Sequence, residues 1–217
     1  MDLQKSFTKV FAWMFLGLLL TFGTGYTVAN NLQLLEMVYT KSTMFILIII
    51  EVGLAIFLSA RVHKMNPTLA KIIYVLYTIL SGLTFSSIFI TYKNSSIIYI
   101  FGITAGIFGL FALLGYVTKM DLTKIGTYLF MALIIIIVSQ IINIFVKSQI
   151  FDLGITILAV VIFLGYIAYD IQKIKYYAQQ NVFKSEDQLA ICGALDLYLD
   201  FINLFIRLLQ LFGNRKN

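Results

Sequence analysis

The sequence predicts an all-α integral membrane protein, a seven-transmembrane helix bundle whose seventh helix is central and carries a polar seam. Three observations predict it. The 217 residues are 60% hydrophobic and 12% charged, where a soluble domain carries about 25% charged residues. Mean hydropathy is +0.94. Apolar runs of about 20 residues recur from end to end, the length a helix needs to cross hydrocarbon. Inside a bilayer only helices and closed barrels satisfy the backbone. The runs are continuous and do not alternate with period two, so helices are expected.

Seven spans follow in order. The first covers residues 7–29, with Lys5 and Lys9 ahead of it. It is long for a signal peptide and no clear small-x-small cleavage site follows, so a retained helix is expected. The second covers 43–60 and is interrupted by Glu51. The third covers 68–92 and is opened by Pro67, the only proline, which suits a helix start. The fourth covers 95–117, the fifth 125–146, the sixth 153–171 with Asp170 near its end, and the seventh 188–213. The connectors are short, and one domain over 1–217 is expected, with no linker and no strong repeat.

Composition excludes several functions. One cysteine, Cys192, leaves no disulfide framework or cysteine-based metal cluster. One histidine, His63, argues against a histidine-ligated zinc or haem. No bound cofactor is expected. The net charge of +6 is spread between spans, which points to membrane orientation and away from nucleic acid. Lys5, Lys9, Arg61, Lys64, Lys71, Lys119, Lys124, Lys173, Lys175 and Lys184 fall on one side. Lys41, Lys93, Lys147, Arg215 and Lys216 fall on the other. The positive-inside rule then puts the N-terminus in the cytoplasm and, after seven spans, the C-terminus outside. In the fourth span Gly102 and Gly106 form a GxxxG pattern, with Gly109, Ala105 and Ala112 nearby. It predicts close helix packing inside the bundle, with a dimer face as the other reading; a monomer is favoured.

Chemistry is expected where charge enters the spans. Glu51, Asp170, Asp196 and Asp200 lie within or at the ends of spans, and Arg207 is the basic residue deep in one. Ionisable groups there cost roughly 2.5–3.5 kcal/mol by insertion scales, so they pair or line a wet path. In the seventh span Asp196, Asp200, Asn203, Arg207 and Gln210 recur at spacings of four and three. At about 100° per residue they share an arc of roughly 80°. That seam predicts the wall of a hydrophilic path or ion site; a hydrogen-bond ladder that only fixes packing is the plainer reading. Asp170 joins the site if the sixth helix continues to about Tyr177, which sets both aspartates in the cytoplasmic half. Two carboxylates in contact cannot both ionise cheaply and so share a proton, a candidate pH sensor. Arg207 calls for a carboxylate partner, and Glu51 is expected to be it. Arg61, ending the second span, is expected to pair Asp170 as a latch.

Two stretches carry a resemblance: Tyr169-Asp170-Ile-Gln-Lys-Ile-Lys175, and Gly193-Ala-Leu-Asp-Leu-Tyr-Leu-Asp200-Phe-Ile-Asn-Leu-Phe205 with the closing Leu-Phe-Gly213. They resemble the Bax inhibitor-1, or transmembrane Bax inhibitor motif, family. The seven-span plan and the Glu51 to Arg61 region extend the likeness over nearly the whole chain, and the short N-terminus resembles the compact prokaryotic members. The resemblance implies a pH-sensitive Ca2+ leak in a cell membrane, with Asp170 and Asp200 as the aspartate pair and Arg61 as the arginine near it. Asp196 departs from the usual small or amide residue and would add a third carboxylate. Asp170, Asp196 and Asp200 would then hold Ca2+ in passing. The lipid bilayer, Ca2+ and H+ are the implied partners, with other membrane proteins possible through the family's survival and protease-modulating members.

Other classes fit less well. An intramembrane aspartyl protease matches Tyr169-Asp170 but wants Gly-x-Gly-Asp, where this chain has Leu197-Tyr198-Leu199-Asp200. A retinal protein wants a lysine in the last span, and a rhomboid-type protease an intramembrane histidine; neither is present. No enzymatic activity is therefore expected. A proton-coupled carrier and a non-conducting scaffold remain as alternatives.

Overall fold

A computed structural model describes residues 1–216. Eight α-helices follow one another: α1 (Leu3–Ala29), α2 (Leu32–Val38), α3 (Lys41–Arg61), α4 (Pro67–Thr91), α5 (Asn94–Val117), α6 (Thr123–Val146), α7 (Gln149–Gln180) and α8 (Glu186–Phe212). Seven of them, all but α2, are long and apolar enough to cross a membrane. The seven anticipated spans are therefore present. Two features differ from the span bounds: α2 breaks the first connector, and α7 runs nine residues past Ile171 to Gln180, which includes the continuation to Tyr177 that brings Asp170 into the site.

Most helices start on a side-chain oxygen that accepts an N–H with no partner inside the helix. Asp2 accepts from Gln4, Asn31 from Leu34, Thr40 from Thr43 and Asn66 from Thr68. Ser148 and Ser185 do the same for Phe151 and Gln188. Pro67 takes the first helical position of α4, where its missing N–H costs nothing. Asp121, in the connector before α6, accepts from both the hydroxyl and the amide of Thr123, which holds its carboxyl below the usual carboxylate range.

The described residues group into two compact units: residues 1–94, 176–198 and 215–216, and residues 95–175 and 199–214. In the first, α1 lies along α4. The seam between them is built from small residues four apart. Gly17 faces the Tyr74 hydroxyl, and a Cβ on Gly82 would meet the Thr24 Cβ at 2.5 Å. Between them Thr21 donates to the Thr78 carbonyl at 2.9 Å. Small side chains let backbones approach without a hydrophobic driving force. After α8 the chain returns to the end of α4, where the Lys216 amide donates to the Thr91 carbonyl at 2.9 Å.

In the second unit the close approaches fall on α7. A Cβ on Gly115 would run into the Ala168 backbone, one on Gly126 into the Tyr169 ring, and one on Gly165 would sit 2.9 Å from Leu129. The expected GxxxG packing does not hold: Cβ atoms on Gly102, Gly106 and Gly109 would meet nothing within 4 Å. That stripe lies on an open face of α5. The pattern records small side chains, and it does not say which neighbour they admit. The α8 helix is the most buried of the seven, at 72% of its apolar window, against 6% for α3 and α6.

Candidate functional site

Asp170 lies on α7 and Asp200 on α8, both within the second unit. Among the described residues they are the two charged side chains that are buried, at 5% and 4% exposure. The packing just described fixes them. Ala168 and Tyr169, directly before Asp170, rest on Gly115 and Gly126. Phe201, directly after Asp200, stacks against Phe101 and Phe108, with ring centroids 5.1 and 5.6 Å apart.

Two further groups complete the cluster. Tyr166 sits one turn before Asp170, with its phenol in electrostatic reach of both Asp170 and Asp200. Lys173 sits one turn after, its ammonium 3.2 Å from Asp170 Oδ1. The same ammonium lies 5.9 Å from the Tyr169 ring centroid. Neighbouring residues tie down this end of α7. The Gln172 amide donates to the Met120 carbonyl at 2.7 Å and accepts from the Leu122 N–H at 2.8 Å. Lys175 donates to the Tyr116 carbonyl at 2.9 Å.

Neither Lys173 nor Tyr166 stood out in the sequence. Lys173 follows the apolar run 153–171 and reads as one of the orientation-setting charges. Continuing the helix to Gln180 puts it on the same face as Asp170 by i,i+3 spacing, which was the available signal.

The other candidates are placed as follows. Asn203 donates to the Leu199 carbonyl of its own helix at 2.8 Å. Arg207 donates to Gln210 at 3.1 Å, with Asp152 the carboxylate whose charge reaches it. Glu51, in the first unit, accepts from the Ser81 hydroxyl at 2.6 Å and the Thr84 hydroxyl at 2.9 Å. Glu51 and Arg207 belong to different compact units, and each has a hydrogen-bond partner within its own. Tyr77 and the buried Tyr198, whose rings meet edge-on at 5.8 Å, also feel the Glu51 charge.

Arg61 is exposed at the end of α3 and forms no salt bridge among the described residues. Lys173 pairs with Asp170 within one helix, whereas Arg61 and Asp170 belong to different compact units. Asp196 is half-buried. Among the described residues no three histidine, cysteine or acidic side chains converge as a metal-holding group. Asp196 belongs to the first unit, and Asp170 and Asp200 to the second. Asp196 stands a full turn, about 6 Å of axis, before Asp200.

A second ionic cluster went unforeseen. Lys9 of α1 bridges Glu186 and Asp187 of α8, both at 3.0 Å, and Lys71 of α4 meets Asp187 at 2.5 Å. In the sequence these lysines carry only the orientation signal.

A helical membrane protein with seven spans and two buried aspartates on its last two helices is the class that this geometry defines. A family model described as "Inhibitor of apoptosis-promoting Bax1" matches residues 3–217. The chain is 43% identical to the inner membrane protein YbhL of Escherichia coli over 218 residues, covering 99% of this chain and 93% of that protein. It is 39% identical to a protein of Borreliella burgdorferi over 217 residues, covering 99% and 94%. A membrane protein of Streptococcus pyogenes is 38% identical over 165 residues, covering 76% and 72%. The chain belongs to the Bax inhibitor-1 family of multi-pass membrane proteins.

Proposed function

We propose that this protein is a pH-sensitive Ca2+ leak, with Asp170 and Asp200 as the coupled pair that takes up a proton or meets the cation. One observation carries the reading: the two buried charged side chains among the described residues are both carboxylates, on consecutive spans of one compact unit. A buried carboxylate is costly in its charged form, so its proton occupancy responds to pH and to a nearby cation. Lys173 and the Tyr166 phenol set the local charge against which that exchange occurs. We also propose that the N-terminus is cytoplasmic, on the two-to-one distribution of basic residues between the sides. The natural location would be a bacterial inner membrane, as the name of the Escherichia coli relative states for that protein.

The test is Ca2+ entry into liposomes holding the purified protein, between about pH 6 and 8, a window reachable because burial and coupling move carboxylates by several units. Wild type should leak Ca2+ with a pH-dependent rate. Asp170→Asn and Asp200→Asn should each flatten that dependence. Folded protein that passes no Ca2+ at any pH would sink the leak reading and leave a non-conducting scaffold.

A further inference from the structure

Beside α1 the first unit contains a cleft of about 640 Å³, walled by α1, α2, α3 and α4. Its lining is almost wholly apolar, with Leu20 and Gly23 on one wall and Leu83 on another. Val28, Val38 and Leu47, which pack together as a buried core, form its floor. Two of its three threonines have their hydroxyls engaged. Thr27 donates to the Gly23 carbonyl at 2.8 Å, and Thr43 accepts from Thr40 at 2.6 Å. Water would find few partners here, and a buried water needs two to four. At the rim, Leu19 and Met37 are 55% and 70% exposed, so the cleft opens sideways from the protein.

What lies to the side of a spanning helix is hydrocarbon. The cleft runs along α1 from Leu19 to Val28, nine residues or about 13.5 Å of helix axis. One leaflet of a hydrocarbon core about 30 Å thick is about 15 Å deep. The cleft therefore has the length of one lipid tail and stops where the spans of α1 and α3 stop. At its closed end the chain turns through the short α2, and Lys41 stands exposed two residues before the lining Thr43. A cation at that level suits a phosphate.

We propose that this cleft holds one acyl chain of a phospholipid, with its anionic headgroup beside Lys41 and α2 lying over the glycerol level. The site is distinct from the aspartate cluster and does not depend on what that cluster does. The lipid would take the place of a protein side chain in the wall of α1, at a point where α3 contributes little buried surface of its own.

The probe is a phosphatidylglycerol carrying a photoreactive diazirine near the end of one acyl chain, in liposomes with the full-length protein. After irradiation, adducts are mapped by mass spectrometry. They should concentrate on the cleft-lining segments of α1 to α3. Gly23→Phe should lower that labelling several-fold, because Gly23 lines the cleft and a Cβ there meets nothing within 4 Å. Gly53→Phe, equally free of neighbours on α3 but outside the cleft, should leave it unchanged. Should Gly23→Phe fail to insert, Thr27→Phe serves the same purpose, since its side chain bonds only its own helix. Adducts spread evenly over the lipid-facing surface would overturn the proposal, as would labelling indifferent to both cleft variants. A variant that instead changes the size of the particle would assign the cleft to a second copy of this chain, and overturn it as well.

Discussion

The Lys173 ammonium stands 3.2 Å from Asp170 Oδ1, one turn along the same helix. The pair is local, so it forms whenever α7 is helical. It places a fixed positive charge beside a carboxylate that is 5% exposed. If Asp170 titrates in the leak, the charge on Lys173 sets where. Lys173→Met is expected to displace the pH midpoint of Ca2+ leak by about one unit or more, the scale on which one close charge moves a carboxylate. Lys173→Arg should leave the midpoint near wild type. The measurement is the liposome flux series; coincident wild-type and Lys173→Met curves would remove Lys173 from the mechanism.

The glycines divide into two groups with opposite expectations. Gly126→Leu must displace the Tyr169 ring and Gly115→Leu the Ala168 backbone. Overpacking of this kind costs about 1–3 kcal/mol, and thermal unfolding in detergent should occur several degrees lower. Gly102→Leu and Gly106→Leu meet open space and should stay within about 0.5 kcal/mol of wild type. Equal losses at all four positions would mean that α5 packs through its GxxxG face after all.

Asp187 links α1, α4 and α8 through Lys9 and Lys71. All three side chains are about a third exposed or more, at 33%, 42% and 32%, so solvent weakens each pair. Asp187→Asn should cost about 1 kcal/mol, near the top of the range for exposed pairs because two lysines share the carboxylate. The deficit should shrink at about 1 M salt, where charges are screened within about 3 Å. A melting temperature unchanged at low salt would reduce the cluster to a surface contact.

Topology can be read with reporters. Fusions after Lys184 and after Lys216 should report opposite faces of the membrane, the first cytoplasmic, because one span separates them. Two fusions on the same face would contradict a spanning α8.

The sequence by itself determined the class, the family and the count of spans. A run of about 20 apolar residues can satisfy its backbone in lipid only as a helix, so each span announces itself without reference to the others. It also singled out Asp170 and Asp200, because a charge inside an apolar run is conspicuous wherever it sits. Partners were a different matter. Glu51 accepts from the Ser81 and Thr84 hydroxyls of α4, which no spacing along the chain singles out. The glycines that admit a neighbour are Gly115 and Gly126, while Gly102 and Gly106 face open space. Each of these depends on which faces of two helices meet and at what height. Rotation about a helix axis and shifts along it are set by the sum of many small packing contacts. No single residue reports that sum, so only the tertiary structure decided it.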